Sequence, residues 1–139
     1  MKMFSIIAML AICITLLGCS NSEEVSGRSV RTANKSAIYI KRHLPVEQQL
    51  EFEVAFGTVH DAIRDDKEFL KKVGSKKPDE IIAMAKEIFQ ERKNAGMKGY
   101  QQYTSWDQMI AKFGQDRIDQ TKHKKSDTRD EKNNVMYKL

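Results

Sequence analysis

The residues able to do acid–base or metal chemistry are few: three histidines, His43, His60 and His123, and a scatter of carboxylates. His60 is followed by Asp61, the residue types of a general base and its orienting carboxylate. Adjacent residues on a helix do not face each other, so the pair cannot work as one. No serine lies within helical reach of His60 on the same face, which leaves the base without a hydroxyl nucleophile. Glu47 with Glu51, and Asp61 with Asp65, give carboxylate pairs at helical +4 spacing. A metal site of that kind wants a histidine to complete it, and none is placed to do so. Calcium-loop and Gly-rich phosphate-binding patterns are also missing from the sequence. These residues predict a non-enzymatic chain with no catalytic residue, no metal and no cofactor.

The two cysteines carry a different chemistry. Phe4–Leu17 is an apolar run of fourteen residues, broken only by Ser5 and Thr15 and preceded by Lys2. As a helix it spans about 21 Å at 1.5 Å per residue, short of the ~30 Å hydrocarbon core of a bilayer. That length predicts a secretory signal over residues 1–18 and not a permanent span. Leu16-Leu17-Gly18-Cys19 closes the run and resembles the bacterial lipobox, in which a small residue precedes a cysteine. In such a site the thiol takes a diacylglyceryl group, cleavage falls between Gly18 and Cys19, and the new amino group is acylated in turn. Cys13 competes poorly, because bulky Ile12 precedes it and cutting there leaves a very short apolar run. Lipidation is therefore expected at Cys19, which leaves the mature chain with no free thiol and no disulfide. Two or three acyl chains, at about 0.8 kcal/mol per buried methylene, make attachment effectively permanent. Ser20 behind the cysteine suits export to the outer membrane of a Gram-negative host, facing the periplasm.

Without residues 1–18 the chain has 121 residues, with 23 basic and 19 acidic side chains and a net charge of +4. Only 42 of them are hydrophobic, a lean supply for a globular core. One small domain is the most such a chain builds. A large enzyme, a polytopic membrane protein and a disulfide scaffold are excluded.

Helices must position whatever these groups do. Residues 19–35, the lipidated cysteine and a Ser/Asn-rich charged stretch, show no apolar period and predict a flexible tether. Residues 36–113 read as an all-α domain, a small bundle of three or four helices. Ala37, Ile40 and Leu44 form one apolar stripe, stopped at Pro45. Phe52, Phe56, Val59 and Ile63 mark a longer helix, with Gly57 inside it as a weak point or a place of close helix approach. Phe69, Leu70 and Val73 make a turn or two ended by Gly74. Pro78 then opens the clearest helix, with Ile81, Ile82, Ala85, Ile88 and Phe89 on its apolar face and Gly96 beyond its end. Tyr100, Tyr103, Trp106, Met109, Ile110 and Phe113 predict a last amphipathic segment capped by Thr104 or Ser105. Phe56 and Ile88 are expected inside one core. Residues 114–139 hold seven basic and five acidic side chains and read as a charged, disordered or frayed tail.

The lipobox, the polar tether, a helix ending at Leu44-Pro45, an acidic-start helix through Glu47–Ile63 and Asp79-Glu80-Ile81-Ile82-Ala83 leading to Glu91-Arg92-Lys93 recur in that order in a family of small bacterial lipoproteins of unknown function. The chain resembles that family over Leu16 to Lys93. Lys77 stands where family members tend to have a capping Thr, and Gly99–Leu139 is an extension. The resemblance implies a helical, membrane-tethered fold and brings no activity with it.

Lys122-His123-Lys124-Lys125, with Arg129 and Lys132, is the basic cluster. An exported protein rarely meets nucleic acid, so the expected contacts are solvent, anionic lipid or acidic cell-wall polymer. Tyr100, Tyr103, Trp106 and Phe113 have the types of a sugar-binding strip, but their helical spacing fits core completion better. The resulting expectation is a lipid-anchored, non-enzymatic binding or structural module in contact with an envelope protein. A lipoprotein of phage or plasmid exclusion, or of toxin immunity, is the alternative.

Overall fold

The structure, a computed structural model, describes residues 23–125. Among them there are six helices and no strand: α1 (Val30–His43), α2 (Val46–Ala62), α3 (Asp66–Val73), α4 (Pro78–Asn94), α5 (Lys98–Gln101) and α6 (Trp106–Lys125). The all-α expectation is met, with four long helices and two short ones. The leader, Gly18, Cys19 and residues 126–139 lie outside the described residues. No described helix is long and apolar enough to cross a membrane.

The chain enters the fold earlier than its sequence suggests. Val25 is 2% exposed and belongs to the core. Its N–H donates to the Lys76 carbonyl at 2.9 Å and its carbonyl accepts from Ser75 N–H at 2.8 Å, a clamp on the α3–α4 turn. Gly27 passes so close to Gly74 that a Cβ on either would stand 3.0 Å from the other's Cα. Helix α1 then starts at Val30, six residues ahead of the expected boundary at 36. Ser29 is its cap: the Ser29 hydroxyl accepts from Thr32 N–H at 3.2 Å, and Ser29 N–H donates to Thr32 Oγ1 at 3.0 Å. Two donors left over by helix geometry are thereby satisfied. The tether expected over 19–35 is corrected accordingly, since residues 25–35 are folded chain.

The remaining boundaries follow from local chemistry. Leu44 is extended before Pro45, ending α1 because the ring disfavours a helical predecessor. Asp65 caps α3 by accepting from Glu68 N–H at 2.9 Å. At the start of α4, Glu80 accepts from Lys77 N–H at 2.9 Å. That is half of a capping box, because a lysine side chain has no acceptor to complete it. Gly96, at φ 75°, ends α4 with the paired bonds Met97 N–H to Arg92 O and Gly96 N–H to Lys93 O, a Schellman motif. Ser105 caps α6, accepting from Gln108 N–H at 3.1 Å.

Helices α2 and α4 form the most extensive pair. Phe52, Ala55 and Val59 of α2 meet the core with Ile81, Ala85 and Phe89 of α4, joined by Phe69 and Val73 of α3. Trp106 and Met109 bring α6 onto this centre, and Trp106 stacks edge-on against Phe89 at 5.9 Å. Phe56 and Ile88 are only partly buried against it, which corrects the expectation that both lie inside. The tail expected from 114 is corrected too. Helix α6 runs through Gly114 to Lys125, and a Cβ at Gly114 would stand 3.2 Å from Leu50 of α2. The glycine marks a close helix approach there.

Candidate binding groove

A groove of about 530 Å³ runs between α2 and the α5–α6 region. Its α2 side is one helix face, Glu53, Val54, Gly57, Thr58 and Asp61. Across from it stand Tyr100 and Tyr103, and then Met109, Phe113 and Arg117 at successive turns of α6. Phe113 is 43% exposed, so much of its ring is presented to solvent. Gly57 leaves the α2 side bare, because a Cβ there would meet nothing within 4 Å. Thr58 is buried, and its hydroxyl donates to the Val54 carbonyl at 2.8 Å.

Charge at the rim is paired. Glu53 receives Arg117 of α6 at 2.7 Å on one carboxylate oxygen and Lys41 of α1 at 2.8 Å on the other, tying three helices. The Arg117 hydrogen bond, with Lys41 beside it, holds the Glu53 carboxyl below its usual range against the opposing effect of burial. At the other end Arg92 of α4 bonds Asp61 at 2.8 Å and also donates to the Tyr100 hydroxyl. The Arg92 bond lowers the Asp61 carboxyl likewise. Both carboxylates are ionised at neutral pH and matched by cations, so neither is poised to carry a proton in catalysis. The surface between them is aromatic and aliphatic, suited to apolar contact with an oriented polar edge. A second groove of about 350 Å³ lies between α1 and α2, lined by Ile38, Phe52 and Phe56, and Glu53 borders both.

The residues singled out from the sequence are placed as follows. His60 is exposed and packs edge-on against Phe69 at 4.6 Å, while Asp61 turns to Arg92. His43 bonds the Tyr39 carbonyl through Nδ1 at 2.8 Å. Glu51 accepts from Trp106 Nε1 at 2.8 Å and pairs with Lys86 at 3.1 Å, and Asp65 is a helix cap. No group of three or more His, Cys, Asp or Glu among the described residues could hold a metal ion. The aromatic strip divides: Trp106, 6% exposed, completes the core, Tyr100 and Tyr103 are half-buried, and Phe113 faces out. Of the basic cluster, Lys122 is exposed at the end of α6, and the side chains from His123 onward lie outside the described ones.

Sequence reasoning missed Gly57 as an open surface, along with Arg92 and Arg117 as rim cations. Glu53, Gly57 and Asp61 share +4 spacing on one helix, a legible face, but Arg92 lies 31 residues from Asp61 and Arg117 lies 64 from Glu53. Comparison with protein-family models, with curated proteins and with solved structures finds no match for this chain.

Proposed function

We propose that the chain is a lipid-anchored envelope protein, held by acyl chains on Cys19, whose helical domain binds another envelope protein without catalysis. Its place in this reading is the periplasmic face of the outer membrane. The anchoring rests on the apolar run that ends in Leu17-Gly18-Cys19. The observation that carries the binding role is the α2–α6 groove, lined by exposed Phe113 and by Gly57, where a Cβ would meet no described atom within 4 Å. A glycine inside a helix costs about 1 kcal/mol relative to alanine. Gly57 gains no packing in exchange, which fits a surface kept bare for a close-lying partner. Lowered carboxyls with matched cations support a docking surface over an acid–base centre.

Photo-crosslinking in intact cells tests this reading. A photoreactive phenylalanine analogue in place of Tyr103 is expected to give one discrete adduct that Gly57→Trp removes. The same analogue in place of exposed Lys67 on α3 serves as the control and is expected to give none. Equal adducts from both positions, or an adduct indifferent to Gly57→Trp, reject the groove as the binding surface. Fractionation checks the sorting: recovery in the inner membrane contradicts the outer-membrane placement.

A further inference from the structure

We propose that the α3–α4 turn is the membrane-facing surface of the domain and that its lysines bind anionic lipid headgroups. This rests on the anchoring at Cys19 proposed above. The turn reads Lys71-Lys72-Val73-Gly74-Ser75-Lys76-Lys77, four cations in seven residues with no acid among them. It is also the place where the N-terminal segment is fixed. Val25 is clamped to Ser75 and Lys76 by two backbone hydrogen bonds, and Gly27 lies against Gly74 and the Leu70 carbonyl. Six residue steps separate Cys19 from Val25, and a fully extended chain covers about 20 Å over that distance. An acylated Cys19 sits at the bilayer surface, so the turn stays within that reach whatever path residues 20–24 take. The groove shares no lining residue with this turn and remains available to a protein partner.

The charge around the clamp is mixed, with the cations gathered on the turn itself. Lys71, Lys72 and Lys77 are exposed and form no ion pair among the described residues; Lys76 pairs with Glu80 at 2.9 Å. Arg28, on the entering segment, adds a further exposed cation. The acids nearest in the chain are Glu23 and Glu24 on the entering segment, Asp79 and Glu80 at the start of α4, and Glu68 one turn back on α3. These five cations and five acids cancel overall, so the attraction to headgroup phosphates is local to the turn, where Lys71, Lys72 and Lys77 stand unpaired, and it falls off within a Debye length. A surface held within reach of the bilayer by its own anchor meets that condition.

Lysine acetylation kinetics on the full chain, purified from membranes and reconstituted into vesicles, test the proposal. One set of vesicles is phosphatidylcholine alone, and the other adds phosphatidylglycerol. Lys71, Lys72 and Lys77 are expected to react several-fold more slowly on the anionic vesicles, with the protection fading as salt is raised. Lys98, exposed on α5, is expected to react equally on both. Equal rates for the three turn lysines on both vesicles overturn the proposal, as does protection confined to Lys122, Lys124 and Lys125. The mass of the Cys19 peptide in the same digest separates this result from the anchoring. Acylated Cys19 with unprotected lysines sinks the orientation and leaves the anchor standing; an unmodified cysteine overturns the anchor and the orientation argued from it.

Discussion

Gly57 and Glu53 are one turn apart on α2 and frame the groove by opposite means, one by lacking a side chain and one by binding two cations. Because a Cβ at Gly57 meets open space, Gly57→Ala is expected to raise stability by about 0.5–1 kcal/mol, the ordinary gain for such a change in a helix. Urea unfolding measures it. A loss of stability would show that the bare surface is already packed against something. The Glu53 carboxyl is held below its unfolded value by Arg117 and Lys41. Its stabilising effect is therefore complete above the ordinary carboxylate range and is lost as pH falls through the folded value. Glu53→Gln should lower the urea midpoint near neutral pH and converge on the wild type as pH falls through the folded Glu53 value. The pair is partly exposed, so the neutral-pH difference should stay within about 1 kcal/mol. Equal midpoints throughout would mean that the three-helix tie contributes nothing.

Helix α4 is the element whose ends were most legible, because Pro78, Asp79, Glu80 and Gly96 each state a local rule. Its start still lacks one bond. Lys77 has the extended backbone of a cap, with φ −80° and ψ 161°, and no side-chain acceptor. Lys77→Ser should supply that acceptor and add about 0.5–2 kcal/mol, read as a raised melting midpoint; an unchanged midpoint would show the N-terminus already satisfied. Other elements were less legible for reasons that differ. The start of α1 was hidden because its reciprocal partner is Thr32, not the Glu or Gln that usually marks a capping box. The run of α6 past Gly114 was hidden because apolar residues thin out there and the contact of Gly114 is with Leu50 on another helix. Val25 is a lone apolar residue in a polar stretch, and its partners, Ser75 and Lys76, lie fifty residues on. The groove was invisible for the same cause: the face on α2 could be read, but not which helix would stand across it.

The whole domain is small, and its stability is expected to fall near the lower end of the 5–15 kcal/mol found for globular proteins. Phe52 is almost fully buried and Phe56 only partly so. Phe52→Ala is therefore expected to cost about 3–5 kcal/mol, enough to leave much of the chain unfolded, while Phe56→Ala costs clearly less. Equal losses in thermal unfolding would contradict the placement of the core. A protein so built has little stability to spend on moving parts, which suits a fixed docking surface held near a bilayer. The proposed envelope placement depends on attachment at Cys19. Mass spectrometry of the N-terminal peptide of the full chain isolated from membranes tests it directly. The account predicts a peptide that begins at Cys19 and carries thioether-linked diacylglycerol, with no acylated product from Cys19→Ser. A chain that begins upstream of Cys19, or an unmodified thiol there, would contradict it.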